Sequence, residues 1–440
     1  MEKLTSARGR MLGNVTFGLL DYIVQPLLML ATAPFFIRHL GLPQFGIWML
    51  VLAVIGSSGT LCTGFGDAAL KYIATMRGRQ DYAGVVRIVE SSFILNFNFG
   101  LALGLVLYLT SPWAASHVFR LDQRLAPLFV GAIRIGAFVL IVRSVAFVFI
   151  STLRAFENYR FAVQITGFAR AGVIVSALLC VFAGEGIVAI MACFLVGELA
   201  ALVALVFAVR KVLPAGSTGT YQPIPCDLLS FGTYTWIQAL SGALFSQADR
   251  LLVAALLGPA ALAYYGICVQ AAQPIHGLAA VGLNVLFPHF SARLEQESPL
   301  VVAATLWTAV RMNVLCVLLL ASPLLLTSRV ILSRWMGSEF AAHSASSLSL
   351  VALGFALLAF NIPGHYGLMA WGQVRFLTGL NLFCATASLL IAVALIPHFG
   401  IVGAAIGRLA YGPISWLVYV RLGSLFRAPS TQMPINAETL

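Results

Sequence analysis

The sequence predicts an all-α polytopic membrane protein with about twelve transmembrane helices. Three observations carry that prediction. Of 440 residues, 60% are apolar and only 9% are charged, and the mean hydropathy is +0.95; a soluble domain carries roughly 25% charged residues. So little charge cannot coat a globule of 47 kDa, which excludes a soluble enzyme, a disordered chain and a fibrous one. The apolar residues also fall into runs of about 20, the length that crosses a bilayer. Finally, the basic residues segregate into alternate loops.

The first six spans are expected from about Gly13 to Phe36, Phe45 to Phe65, Ser91 to Thr110, Ala126 to Leu153, Phe161 to Ala183 and Ile187 to Val209. The second six run from about Phe231 to Leu257, Leu262 to Phe287, Leu300 to Leu326, Ala342 to Ala370, Phe376 to Ile396 and Gly400 to Val420. Gly, Pro or charge interrupts spans 2, 7, 8 and 10. Lys3, Arg8 and Arg10 precede the first run, and Ala31-Thr32-Ala33 resembles a signal cleavage site. That run is longer than a signal core of about 7–15 residues and contains Asp21, so it is read as the first span. The longest loops are expected at about Arg210 to Ser230 and Thr327 to Ala341.

With the N-terminus inside, the inner loops and tails hold Lys3, Arg8, Arg10, Lys71, Arg77, Arg79, Arg87, Arg154, Arg160, Arg210, Lys211, Arg293, Arg375, Arg421 and Arg427. The outer loops hold only Arg38, Arg120, Arg124, Arg329 and Arg334. Fifteen against five predicts an even number of spans with both termini cytoplasmic. Part of the +11 net charge is therefore topological, and nothing calls for nucleic acid. The seven cysteines are scattered, without a CxxC, and read as small buried side chains rather than disulfides or a zinc site.

A weak internal repeat relates the two halves. Phe17-Gly18 matches Phe231-Gly232, and Leu40-Gly41 with Phe45-Gly46-Ile47-Trp48 matches Leu257-Gly258 with Leu262-Ala263-Tyr264-Tyr265. Two six-span halves share one orientation, so an axis along the membrane normal would relate them, as in transporters. The expected organisation is a six-helix lobe over 1–211, a cytoplasmic linker over 212–230, a second lobe over 231–427 and a polar cytoplasmic tail over 428–440.

Charges inside spans are the candidate site. Arg134 and Arg143 fall in span 4, Arg170 in span 5, Arg250 in span 7, Arg311 in span 9 and Arg408 in span 12; Asp21, Glu198 and Asp249 are the acids deep in spans. Each central charge costs roughly 2.5–3.5 kcal/mol against lipid, so these side chains must face water, a partner or the interface. Any one arginine could instead pair with a carboxylate or snorkel, as Arg143 could towards the cytoplasm. Arg134 and Arg143 point about 180° apart on one helix, so one lumen does not readily take both. The excess of six basic over three acidic residues nevertheless predicts a cationic cavity for an anionic passenger, and arginine suits phosphate. Asp21, Glu198 and Asp249 are candidates for ion coupling or for neutralising an arginine.

The chain lacks GxxxxGK[ST], HExxH and GxSxG, and no cofactor is called for. The outer loops offer only Asp122, Glu185 and Glu339 as carboxylates, too isolated for a glycosyltransferase or polymerase.

Ser246-Gln247-Ala248-Asp249-Arg250-Leu251-Leu252-Val253 with Leu257-Gly258-Pro259-Ala260-Ala261-Leu262-Ala263-Tyr264-Tyr265 resembles the seventh-span signature of the polysaccharide-transporter (O-antigen flippase) family. That family shares a superfamily with multidrug-and-toxin extruders and lipid II flippases. Leu40-Gly41-Leu42-Pro43-Gln44-Phe45-Gly46-Ile47-Trp48 with Gly64-Phe65-Gly66-Asp67 resembles its first hairpin, and Ile396-Pro397-His398-Phe399-Gly400-Ile401 its entry to the last span. One departure is Tyr264, where the family usually has Gly. The resemblance implies two lobes forming a V in the bacterial inner membrane. Its implied passenger is an undecaprenyl-diphosphate-linked oligosaccharide repeat unit, moved from the cytoplasmic to the periplasmic leaflet by alternating access for O-antigen, exopolysaccharide or capsule synthesis. A monomer is expected, with a polysaccharide polymerase and export machinery as candidate partners and H+ or Na+ as candidate coupling ions. The rivals are a drug or cation antiporter of the same fold, a lipid II-type flippase, a polytopic glycosyltransferase or polymerase, and an assembly scaffold that would tolerate loss of the arginines.

Overall fold

A computed structural model of the protein describes residues 28–213, 240, 242, 246–283, 286, 290 and 299–427; over 61–68, 299 and 300 it describes the backbone only. The chain divides into two compact units, Met1–Ala263 and Tyr264–Leu440. The expected linker over 212–230 falls almost wholly outside the described residues, as does Asp21.

The first unit contains α1 (Leu28–Leu40), α2 (Leu42–Gly78), α3 (Tyr82–Trp113, ending in a π-helical turn over Ala114–Val118), α4 (Leu125–Ala155), α5 (Tyr159–Phe182), α6 (Ile187–Val212) and α7 (246–257). From the unit boundary, which falls inside α8 (Pro259–Leu283), the second continues with α9 (Pro299–Trp335), α10 (Ser338–Ala359), α11 (Ile362–Ala370), α12 (Val374–Phe399), α13 (Ile401–Ser415) and α14 (Leu417–Arg427). Among the described residues, ten helices are long and apolar enough to cross a membrane. The chain is an all-α multi-pass membrane protein, and these ten coincide with spans 2 to 6 and 8 to 12. Most of span 1 and the first part of span 7 lie outside the described residues.

Helices overrun the apolar runs that announce them. Span 2 was expected to end near Phe65, but α2 continues to Gly78 and reaches 37 residues, about 55 Å at 1.5 Å per residue. The expected outer loop over about Thr327 to Ala341 shrinks to a short turn at Met336 and Gly337, because α9 kinks at Thr327 (φ −125°, ψ +21°), where the span was expected to end, then resumes as helix to Trp335, and α10 starts at Ser338. Hydropathy marks the thickness of the bilayer, and a helix needs no apolar residues to continue beyond it. Side chains end some of these long helices. The Asp81 carboxylate accepts the Gly84 N–H at 2.7 Å at the start of α3, and Asp122 accepts that of Leu125 at 2.7 Å at the start of α4. Arg77 donates to the Ala155 carbonyl at 2.8 Å and to Glu157 at 3.3 Å, fixing the end of α4 against α2.

The repeat has a local counterpart. Gly41 (φ +77°) and Gly258 (φ +86°) both take a left-handed conformation that glycine adopts without strain. Each N–H donates four residues back, to Ile37 and Ala254, and each carbonyl accepts four residues on, from Phe45 and Leu262. The same hinge therefore joins α1 to α2 and α7 to α8. Tyr264, the departure from the resembled pattern, packs its ring 4.8 Å from Phe340 and 5.1 Å from His343.

In the first unit α4 is the central helix, packed against α2, α3 and α6, with α5 resting on α6. In the second, α10 packs on α9 and α13, and α12 on α13. The tenth span is broken between α10 and α11 because Pro363 has no N–H for the carbonyl four residues back. That carbonyl, of Ala359, accepts from Asn313 Nδ2 at 2.8 Å instead. Its neighbours are met too: Trp416 Nε1 donates to Leu357 O at 2.8 Å, and the Tyr419 hydroxyl to Phe360 O at 2.6 Å. Inside a membrane, released carbonyls persist only where protein or trapped water satisfies them. Asn313→Leu strands a buried acceptor and is expected to destabilise the protein by about 1–3 kcal/mol, read as a lower unfolding midpoint in detergent. An unchanged midpoint would mean the break does not depend on that amide.

Candidate anion pocket

A cavity of about 320 Å³ opens inside the first unit, walled by α2, α4, α5 and α6. Each wall is one helical face. From α4 come Arg143, Ala146, Phe147, Ile150 and Arg154; from α5, Ala162, Val163, Thr166, Ala169 and Arg170; from α6, Glu198, Ala201 and Leu205; from α2, Gly56, Gly59 and Thr60. These spacings of three, four and seven are those of side chains stacked along one side of a helix. The alanines and glycines leave the space, and the longer arginine and glutamate side chains reach into it.

The charged lining is three arginines and one glutamate. Arg143 Nε donates to Glu198 Oε1 at 2.8 Å, with the two side chains 28% and 15% exposed. The same guanidinium lies 5.0 Å from the centre of the Phe194 ring, one turn before Glu198 on α6. Arg143 is thus held by α6 through both an ion pair and a ring face. Counting back from the helix ends at 1.5 Å per residue, Arg143, Arg170 and Glu198 each lie about 16–21 Å in, near the middle of a 30 Å hydrocarbon core. Arg154 stands at the last turn of α4, so the pocket runs from the basic end of these helices to that mid-depth.

The other candidates stand elsewhere. Arg134 is exposed on the far side of α4, its guanidinium 4.9 Å from the Tyr108 ring. Arg250, 9% exposed, donates through Nη1 to Gln247 Oε1 at 3.3 Å, and its N–H donates to Asp249 Oδ1 at 2.8 Å. Gln247 borders Gly56 of the pocket wall, with 3.5 Å between its amide nitrogen and the place a Cβ would occupy. In the second unit Arg311 is exposed on α9, whereas Arg408 is buried on α13 with its guanidinium 4.5 Å from the Phe355 ring. The pocket therefore gathers Arg143, Arg170 and Glu198, and it adds Arg154, which sequence reading had left in a loop. The signal for Arg154 was its distance of eleven residues from Arg143, about three helical turns.

Residues 9–293 match the sequence profile of the polysaccharide biosynthesis protein family. The chain belongs to this family. The whole pocket lies inside the matched segment. A "Putative O-antigen transporter" of Shigella flexneri is 21% identical over 423 residues, covering 94% of this chain and 95% of its own. Among solved structures, an inward-facing multidrug resistance transporter of the MATE family in the MOP superfamily superposes with a TM-score of 0.74 at 16% identity, over 92% of this chain and 98% of its own. The lipid II flippase MurJ in its inward closed conformation gives 0.72 at 14%, over 93% and 87%. At such identities the solved structures establish the fold alone. The family and its relative together identify a membrane transporter of polysaccharide biosynthesis and not an enzyme.

Proposed function

We propose that this transporter is a flippase carrying an undecaprenyl-diphosphate-linked oligosaccharide from the cytoplasmic to the periplasmic leaflet of the bacterial inner membrane by alternating access. The observation that carries the reading is the charge of the pocket: Arg143, Arg154 and Arg170 against Glu198 alone. A diphosphate is a compact polyanion, and guanidinium groups bind its oxygens in a bidentate way without losing their charge. A volume of about 320 Å³ suits a headgroup, while the sugars and the lipid tail would extend beyond it. The end of the helices bearing Arg154, Arg160, Arg210 and Lys211 is read as cytoplasmic, the side on which the lipid-linked unit would be loaded. A cation antiporter would need an acidic pocket, and Glu198 is already engaged by Arg143. A polysaccharide polymerase and export machinery are the partners this reading calls for.

The test uses proteoliposomes holding a fluorescent polyprenyl-diphosphate oligosaccharide, with label in the outer leaflet quenched and the protected fraction followed over time. Arg170→Ala is expected to slow exchange by about 10–100-fold, the loss of one charge-assisted contact of 1.5–3 kcal/mol. Arg134→Ala, on the opposite face of α4, should leave the rate within about twofold. Exchange lost equally in both variants would break the link between the pocket and the passenger. No protein-dependent exchange at all, with or without a proton or sodium gradient, would remove the flippase reading.

A further inference from the structure

Two cysteines that the transport reading does not use lie against each other. Cys180 on α5 and Cys193 on α6 are thirteen residues apart in sequence, with their sulfurs at 3.3 Å. Both are free and half-buried. They lie near the end of the unit opposite Arg154, Arg160, Arg210 and Lys211: Cys180 two residues before α5 ends at Phe182, Cys193 six residues after α6 begins at Ile187. The contact follows from helix geometry. Side chains tilt towards the N-terminus of their own helix, so in this antiparallel pair Cys180 leans inward and Cys193 leans outward. Starting depths of about 3 Å and 9 Å thereby converge on one level.

We propose that Cys180 and Cys193 are a redox site, forming a reversible disulfide that fastens α5 to α6 and slows transport. The compartment is part of the proposal and rests on the topology read above, which puts this end of the helices on the periplasmic side, where disulfides persist. The oxidant is a disulfide-bearing thiol oxidant on that side. The Cys180 thiolate attacks one sulfur of its disulfide and releases one oxidant thiolate. The Cys193 thiolate then attacks Cys180 Sγ, closing the Cys180–Cys193 bond and releasing the second oxidant thiol. The two cysteine protons leave with the reduced oxidant, which carries off both electrons. The consequence for transport lies in what the two helices hold. Arg170 is ten residues from Cys180 on α5, and Glu198 five from Cys193 on α6. A covalent tie at one end restricts sliding or spreading of two of the pocket's four walls.

The experiment treats the purified full chain in proteoliposomes with oxidised glutathione, traps remaining thiols with N-ethylmaleimide, and seeks the linked 180–193 peptide by mass spectrometry. Alkylation of Cys180 and Cys193 in the dithiothreitol-reduced protein reports reagent access. The expected result is that the linked peptide replaces both free thiols, exchange falls severalfold, and dithiothreitol restores both. Cys180→Ser and Cys193→Ser should each transport at the reduced wild-type rate and ignore the oxidant. Absence of the linked peptide although both thiols alkylate in the reduced protein, or a full linkage that leaves exchange unchanged, overturns the proposal. Linkage formed in vitro but absent from protein alkylated in intact cells overturns the periplasmic assignment. Failure of reduced wild-type protein to move the lipid would count against the flippase reading, and the peptide would still decide whether the pair closes.

Discussion

Arg143→Ala is expected to lower the flipping rate by about 100-fold or more, the largest functional loss of any single change in the pocket. Two effects add. The variant loses a guanidinium whose contact to phosphate is worth about 1.5–3 kcal/mol. It also leaves Glu198, 15% exposed, without its ion-pair partner and facing the same cavity, so a carboxylate now repels the passenger. Removing one member of a largely buried pair costs about 3–5 kcal/mol, so the variant should also unfold earlier. Arg143→Ala with Glu198→Ala separates the two roles. Removing both charges should restore most of the stability, because no unpaired charge remains, and little of the transport. Glu198→Gln alone should instead bind inorganic pyrophosphate more tightly than wild type, since the anion no longer competes with a carboxylate for Arg143. Calorimetric titration of pyrophosphate and the leaflet-exchange assay read these separately. Full transport in the double variant would show that Arg143 matters only as the counterion of Glu198.

The physics that made parts of the molecule legible in the sequence is one-dimensional. A run of apolar residues reports bilayer thickness, so the spans matching α4 to α6, α8 and α10 to α13 were located to within a few residues. It failed at the start of α3 and at the ends of α2, α9 and α14, where helix extends past the apolar run, in α9 beyond a kink at Thr327. Gly41 and Gly258 were visible as a repeat, and their common left-handed φ supplies the reason. Pro363 foretold a bent span, but the side chains that make the bend tolerable, Asn313, Trp416 and Tyr419, come from other helices. The pocket shows the same limit. That Arg134 and Arg143 diverge follows from helical periodicity within α4. That Arg143 meets Glu198, 55 residues away, depends on how α4 packs on α6, and no spacing along the chain encodes it. Arg154 was read as an inner-loop residue, whereas the helix runs through it to Ala155, and only the packing of α5 and α6 turns that end into the rim of a cavity.

Gly407→Leu is expected to destabilise the second unit by about 2–4 kcal/mol. Membrane helices gain no hydrophobic drive from meeting each other, so close approach at small residues has to supply the attraction. At position 407 on α13 a Cβ would stand 2.6 Å from the Cβ of Ala392 on α12 and 2.8 Å from its Cα and N. Two of those three atoms are backbone and cannot rotate aside, so α12 and α13 must separate. Separation also breaks the bond from the Ser388 hydroxyl to the Gly407 carbonyl, 2.7 Å long and buried. Gly423→Ala is the control, since a Cβ there meets nothing within 4 Å, and it should unfold with wild-type protein. Thermal unfolding in detergent, followed by the yield of monodisperse protein, reads the difference. Gly407→Ala should fall between the two, because it carries the clash of the Cβ without the bulk beyond it. A Gly407→Leu protein as stable as the Gly423→Ala control would mean that α12 and α13 do not pack backbone to backbone.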